Sequence, residues 1–180
     1  VVDGIYYREG KIFSSIKGDA PYDPERFRIK GVHNIENAMA SIAASEIAGC
    51  GRDAIQEALE EFHGLPHRVE FVAEIGGVSF YNDSKGTNIG ATMSALAGFE
   101  GNVILLAGGK DKGGDYSVMV PLIQEKVKGL VLFGEARDKI DQSIGRYADT
   151  VLVGNLKEAM EVVKRTAVRG DTVLLSPACS

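Results

Sequence analysis

The densest chemistry in the chain lies in one string, Tyr81-Asn82-Asp83-Ser84-Lys85-Gly86-Thr87-Asn88. An apolar run ends at its start and a helical pattern begins at its end, so it occupies a strand-to-helix turn. In an open α/β sheet, the turns at the carboxyl ends of strands are where ligands bind. Asp83 and Lys85 bring opposite charges to one turn. Thr87 and Asn88 stand at a helix start, where unpaired backbone N–H groups attract anions. A plain turn needs Gly and Asn; it has no need of an acid, a base and two hydroxyls together.

A second string, Gly108-Gly109-Lys110-Asp111-Lys112-Gly113-Gly114, follows another apolar run. It lacks the G-x-x-x-x-G-K-[ST] order of a phosphate-cradling loop, because no Ser or Thr follows either Lys at the required place. A loop presenting Lys112 to a small carboxylate suits it better, since Lys offers a compact point charge. The competing reading is a solvated surface loop. No G-x-G-x-x-G follows a strand, so a nicotinamide site has little support. No H-E-x-x-H or cysteine cluster supports a transition metal. Of the histidines His33, His63 and His67, the second reads as structural at a helix end and the third as a linker contact. Spacing identifies no Ser-His-Asp triad, since triads assemble in space.

These strings need elements to carry them. Residues 1 to 30 read as short strands, with a hairpin over Ile5 to Phe13 turning at Glu9-Gly10, turn chemistry at Asp23-Pro24-Glu25, and a strand through Phe27, Ile29 and Val32. Ile35, Ala38, Met39, Ile42, Ala43 and Ile47 recur at helical spacing, and Gly49 and Gly51 end that helix. Asp53 is placed to cap a second helix with Gln56 completing a capping box, over an apolar face of Ile55, Ala58, Leu59 and Phe62. Gly64-Leu65-Pro66 breaks it and reads as an interdomain hinge. Beyond it the spacing predicts a hairpin, Val69 to Ile75 and Val78 to Asn82, around Gly76-Gly77. A helix from about Asn88 and a strand over Val103 to Ala107 follow. A helix face of Met119, Leu122, Ile123 and Val127 then leads to a strand over Leu130 to Phe133. A helix near Ala136 to Ile144, a strand over Val151 to Val153, a helix through Leu156, Ala159, Met160, Val163 and Ala167, and a strand over Thr172 to Leu175 complete the chain. Strands alternating with helices mean βαβ crossovers, hence an α/β fold: a Rossmann-like, mainly parallel sheet with flanking helices from about residue 66 onward.

Length and composition agree. At 180 residues, with 44% hydrophobic and 25% charged side chains, the chain suits one globular domain plus part of another, or one large domain. A net charge of -5 argues against a general nucleic-acid binder. No apolar run approaches a membrane span. Val1-Val2-Asp3-Gly4 lacks the basic start of a signal peptide, and Cys50 and Cys179 form no framework, so a cytoplasmic protein with two buried or unreactive thiols is expected.

Four strings, Leu65-Pro66-His67-Arg68, Asn82-Asp83-Ser84-Lys85, the loop from Leu106 to Tyr116, and Leu175-Ser176-Pro177-Ala178-Cys179, occur in an order that resembles the Mur ligases of peptidoglycan synthesis. Within that family they are most similar to the branch that adds D-glutamate to UDP-N-acetylmuramoyl-L-alanine. The resemblance runs from about Gly31 to the last residue. It implies that residues 1–64 are the end of a central ATP-binding domain and residues 65–180 a Rossmann-like C-terminal amino-acid-binding domain. By the same resemblance, Asn34, Arg68, Asp83 and Lys85 would serve the ATP site, with Asp83 accepting from the ribose hydroxyls. Thr87 and Lys112 would hold the carboxylates of D-glutamate, and Ser176 to Cys179 would approach that pocket. The family's reaction phosphorylates the acceptor carboxylate with ATP and magnesium, and the amino acid's amine then attacks the acyl phosphate. The P-loop, the UDP-binding domain and the metal ligands are not found in these residues, so the chain alone is expected not to turn over ATP.

Simpler roles stand beside these. Asn34 or Thr87 could cap a helix, Arg68 could form a hinge salt bridge, Asp83 and Lys85 could pair on the surface, and Ser176-Pro177 could merely end a strand. Two other functions remain open: a sibling ligase using another amino acid, and a stand-alone Rossmann-like module that binds a nucleotide or small acid.

Overall fold

The computed structural model describes residues 4–179 apart from residues 19, 30 and 31. Gly31, where the resemblance begins, the first three residues and Ser180 therefore lie outside the described residues. The chain divides into two compact units, residues 1–64 and 65–180.

In the first unit, β1 (Ile5–Arg8) and β2 (Lys11–Ser14) pair antiparallel through a Glu9-Gly10 turn, with Tyr7 opposite Ile12. Asp23 caps a short 3-10 turn over Pro24–Arg26, accepting from the Glu25 N–H, and its carboxylate meets Lys11 Nζ at 2.7 Å. The strand expected through Phe27, Ile29 and Val32 does not form: Phe27 closes the 3-10 turn, and Val32 already belongs to α1 (Val32–Ile47). The alternation there reflects Phe27 dropping into a core with Ile12, Tyr22, Ala38, Ile42 and Ile55 rather than strand pairing.

After α1, the chain turns at Gly49 into α2 (Arg52–Glu61), whose N-cap is Gly51 without a side-chain bond. The expected capping box is therefore absent. Arg52 opens the helix and ties it to the Ala20 and Pro21 carbonyls, which puts Asp53 one residue inside. Gln56 turns inward instead, accepting from the Asp23 N–H at 2.9 Å and donating to the Asp23 carbonyl at 3.3 Å. A buried acid completes this unit: Glu46 accepts from the Tyr22 and Ser14 hydroxyls.

The second unit is a six-stranded sheet in the order β3-β4-β8-β5-β6-β7. Its strands are β3 (Glu70–Ile75), β4 (Val78–Asn82), β5 (Val103–Gly108), β6 (Val127–Phe133), β7 (Asp149–Leu152) and β8 (Thr172–Leu175). Only the β3–β4 hairpin is antiparallel. The helices are α3 (Ile89–Ala97), α4 (Val120–Lys126), α5 (Arg137–Ile144) and α6 (Leu156–Thr166).

Alternation along the strands sorts the core. Val103, Leu105 and Ala107 of β5 face one layer with Leu96, Ile123 and Ile140 from α3, α4 and α5. Ile104 and Leu106 face the other, with Val162 and Val163 of α6. Every residue of β5 is buried, as a strand covered on both faces requires. The helix expected from Met119 through Val127 is shorter than its apolar spacing suggests. Met119 belongs to a 3-10 turn, and Val127 opens β6, where it pairs with Val103.

After β7 the chain crosses back over the sheet, and β8 enters between β4 and β5. The reversal brings the carboxyl ends of β4, β8 and β5 side by side, which is where open α/β sheets bind ligands. On the other side of β5, Gly108 permits a close approach to the end of β6. Its φ is +129°, and a Cβ there would lie 1.9 Å from the Phe133 carbonyl oxygen, which is backbone and cannot swing away. Gly108→Ala is expected to lower unfolding free energy by more than about 2 kcal/mol, measurable by urea denaturation. A change within a few tenths of a kcal/mol would show that the two strand ends are not so closely packed.

Candidate functional site

Strand β4 delivers Asp83 into the interior rather than to solvent. Asp83 is only 5% exposed, and its N–H bonds the Leu175 carbonyl at the end of β8 at 2.7 Å. Its Oδ2 accepts from the Ser176 hydroxyl at 2.6 Å and its Oδ1 from the Val69 N–H at 3.2 Å. The one Ser176 hydroxyl hydrogen goes to Asp83. In the 2.8 Å contact between the Ser176 and Thr92 hydroxyls, Thr92 is then the donor. Ser176 and Thr92 are both fully buried. One carboxylate thus joins the exit of β4, the exit of β8, helix α3 and the segment before β3.

Gly86 closes over this cluster. A Cβ at Gly86 would sit 2.3 Å from Asp83 Oδ2 and 2.5 Å from Ser176 Oγ, so the turn tolerates no side chain there. The Gly86 carbonyl accepts from the Ala178 N–H at 2.9 Å. That bond holds the segment after β8 against the turn that carries Thr87.

The glycine-rich string after β5 is organised by Asp111. Its Oδ1 accepts from the Gly113 N–H at 3.0 Å and from the Tyr116 hydroxyl at 3.3 Å, and its Oδ2 meets Lys139 Nζ of α5 at 2.8 Å. Lys139 and the Gly113 N–H hold the Asp111 carboxyl below the usual carboxylate range. Tyr116 is buried, and desolvation, with Cys179 and Asp111 beside it, raises its hydroxyl pKa. Burial likewise pushes the Cys179 thiol up. With Asp111 turned inward, Lys112 projects outward, and its Nζ lies 3.4 Å from the Thr87 carbonyl across the gap.

Between these two loops opens a cavity of about 290 Å³. Thr87, Asn88, Lys112, Gly114, Tyr116 and Ala178 contribute to its lining, with the first residues of α3. Asn88 is the N-cap of α3, accepting from the Ala91 N–H at 2.9 Å. The cavity therefore combines a helix N-terminus, a lysine ammonium and a hydroxyl, all of which favour an anion. Its volume suits a small acid. A larger depression of about 620 Å³ sits at the other edge of the sheet, but Glu100 and Glu125 line it and no Lys or Arg does. It has the wrong charge for a carboxylate.

The structure brings Thr87 and Lys112 together at this cavity. Ser176 does not reach it: fully buried, it supports the wall through Asp83 and the following Ala178. Lys85 is exposed on the same turn, and its N–H bonds the His67 carbonyl at 3.1 Å, which places it beside the segment carrying the exposed Arg68. Asn34 lies in the first turn of α1, inside the helix rather than at its cap. Of the two thiols, Cys179 is buried and Cys50, which follows the end of α1, is exposed. Tyr116, Asp111 and Thr92 are neighbours of the candidate site that spacing did not single out. Tyr116 and Asp111 lay inside a quoted string, but nothing in a string tells which member turns inward.

The family model "Mur ligase, glutamate ligase domain" matches residues 67–179. This chain belongs to the Mur ligase family. It is 46% identical over 179 residues to the UDP-N-acetylmuramoylalanine--D-glutamate ligase of Citrifermentans bemidjiense, covering 99% of this chain and 40% of that protein. The chain thus spans about two fifths of the length of that relative. Among solved structures, the UDP-N-acetylmuramate-alanine ligase of Thermotoga maritima matches with a TM-score of 0.74 at 18% identity, over 95% of this chain and 40% of that one. The MurF ligase of Thermotoga maritima in complex with ADP matches with a TM-score of 0.65 at 15% identity, over 98% and 42%. These two likenesses establish a Mur ligase fold across both units. Among the described residues, no helix is long and apolar enough to cross a membrane.

Two outcomes check this geometry. Ser176→Ala removes a donor from a buried carboxylate and should lower stability by about 2 kcal/mol, read by chemical denaturation; an unchanged midpoint would show that Asp83 is satisfied without Ser176. Iodoacetamide at about pH 8 should alkylate Cys50 in the folded protein and spare Cys179 until unfolding, as peptide mass spectrometry would report. Rapid labelling of Cys179 would mean that the segment after β8 is not packed as described.

Proposed function

We propose that this chain is the C-terminal part of an ATP-dependent ligase that adds D-glutamate to UDP-N-acetylmuramoyl-L-alanine in peptidoglycan synthesis, acting in the cytoplasm. The observation that carries this reading is the cavity shared by Thr87, Lys112 and the N-terminus of α3. It offers two kinds of positive group to an amino acid with two carboxylates. Lys112 is suited to one as a point charge, and the backbone N–H groups of α3 with Thr87 are suited to the other. The name of the relative at 46% identity supports D-glutamate over another amino acid.

In this reading residues 65–180 form the amino-acid-binding domain and residues 1–64 the end of the ATP-binding domain. The residues present fit a nucleotide in charge. Arg68 and Lys85 are exposed cations on adjoining segments, suited to phosphate oxygens. Asp83 fits a ribose less well, because its oxygens are engaged inside by Ser176 and Val69. Its contribution is to hold the turn that carries Lys85 and Thr87. ATP would supply the phosphoryl group that activates the acceptor carboxylate. Magnesium would accompany it, with ligands supplied from outside these residues.

The chain's own task is positioning. It fixes the carboxylates of the amino acid so that its free amine meets the activated carbonyl, and holding two reactants in register supplies much of the rate. The amine must arrive neutral to attack, so the cationic groups belong at the carboxylates and away from the nitrogen.

Calorimetric titration of D-glutamate into the protein, with L-glutamate and D-alanine as controls, tests this. D-glutamate should bind selectively, and Lys112→Ala or Thr87→Ala should weaken it by at least about tenfold. Full affinity in both variants, or preference for another acid, would overturn the assignment.

A further inference from the structure

The segment from Gly109 to Asp115 includes three glycines and joins β5 to the next 3-10 turn, yet it must present Lys112 at one place. A chain so rich in glycine gains nothing from its own propensity and carries the largest backbone entropy of any sequence. Asp115 caps the 3-10 turn that follows, bonding the Ser117 N–H, and so fixes only the loop's end. In the middle of the loop Asp111, immediately before Lys112, carries three side-chain bonds, against the single long bond of 3.4 Å that Lys112 makes to the Thr87 carbonyl.

The donors that reach Asp111 come from three places. Gly113 belongs to the loop itself, Tyr116 to the 3-10 turn and Lys139 to α5, 28 residues away in sequence. Lys139 also stands over the Tyr116 ring, its Nζ 5.7 Å from the ring centre. Tyr116 in turn lines the cavity. Asp111 therefore bonds the loop to the cavity wall on one side and to a helix of the core on the other, while Lys112 points into the mouth.

We infer that Asp111 and Lys139 form a positioning pair: their ion pair holds the loop so that the Lys112 ammonium meets the substrate carboxylate, although neither touches the substrate. This rests on the reading of the cavity as the amino-acid site and adds to it a pair of residues that determines how well the site engages its acid. An exposed ion pair contributes little to stability. Here its consequence lies in the placement of the next residue, since a free glycine loop spreads the ammonium over many positions and a carboxylate selects only one of them.

The test is steady-state kinetics of the full-length ligase, with D-glutamate varied at saturating ATP and acceptor. Asp111→Asn and Lys139→Met should each raise KM for D-glutamate by about tenfold, with a much smaller change in kcat and in KM for ATP. The double variant should be no worse than either single, and Lys139→Arg should restore most of the loss. Thermal unfolding of each variant is measured alongside. Equal loss in kcat and in both KM values, together with a lowered melting temperature, would mean that the pair is merely structural and would overturn the proposal. So would an unchanged KM for D-glutamate in Asp111→Asn while Lys112→Ala raises it; the amino-acid site would then stand without the positioning pair. If Lys112→Ala itself leaves KM for D-glutamate unchanged, the reading of the cavity fails and the pair's role fails with it.

Discussion

The carboxylate of Asp83 is the constraint on which the rest of the site depends. A charge taken out of water is costly unless donors replace the lost solvent, and leaving even one acceptor bare costs more than the bond would have contributed. Asp83 finds its donors on Ser176, just past β8, and on the backbone of Val69, just before β3. These residues lie far apart in sequence and meet only when β8 has entered the sheet between β4 and β5. Satisfying one side chain thus requires the crossover that creates the ligand-binding edge. The same cluster excludes any side chain at Gly86 and leaves the Gly86 carbonyl facing Ala178. One wall of the cavity is therefore set by the packing of the core.

The opposite wall is built on another principle. Its backbone is glycine-rich, and its geometry comes from polar bonds at the surface rather than from burial. The pocket thus has one wall fixed by the core and one held by a few polar bonds. The charges follow the same division. The N-terminus of α3 contributes partial charge on backbone N–H groups that cannot move, whereas Lys112 contributes a full charge on a flexible stem. Such a pair reads two carboxylates of one molecule at different distances better than two fixed groups would.

Much of this was legible in the residues. The alternation of apolar strands with helical spacing yields the parallel sheet, because both patterns follow from burial on defined faces. The Gly76-Gly77 hairpin and the start of α3 at Asn88 follow from local chemistry and appear where they were expected. The errors have physical causes. Asp53 and Gln56 have capping-box spacing, but Arg52 finds carbonyl partners in the preceding loop and begins the helix earlier. Phe27 and Ile29 alternate without pairing, since an apolar residue beside a 3-10 turn is buried equally well. Val127 fits a helix face and a strand alike, and its partner Val103 in β5, a long-range contact, decides between them. Thr87 and Lys112 lie on loops aimed at solvent, so their types point to what they could bind. Ser176 and Asp83 carry the same kinds of polar atom, yet they face inward, and only the long-range pairing of β4 with β8 distinguishes the two cases.

Overall charge does not set the sign of a local site. The chain carries a net charge of -5, which by itself suggests repulsion of acids. Local potential depends on which charges are neutralised where they stand. Beside the cavity two acids have partners: Asp83 is enclosed by hydrogen-bond donors, and Asp111 is matched by Lys139. Lys85, Lys110 and Lys112 are exposed there, and none of the three forms an ion pair among the described residues. Beside the cavity the lysines therefore stand out on an acidic protein, because Asp83 and Asp111 are engaged in internal bonds while Lys85, Lys110 and Lys112 form no ion pair among the described residues. An anion approaching the cavity meets these lysines, and the same internal bonds that give the site its shape occupy its two acids.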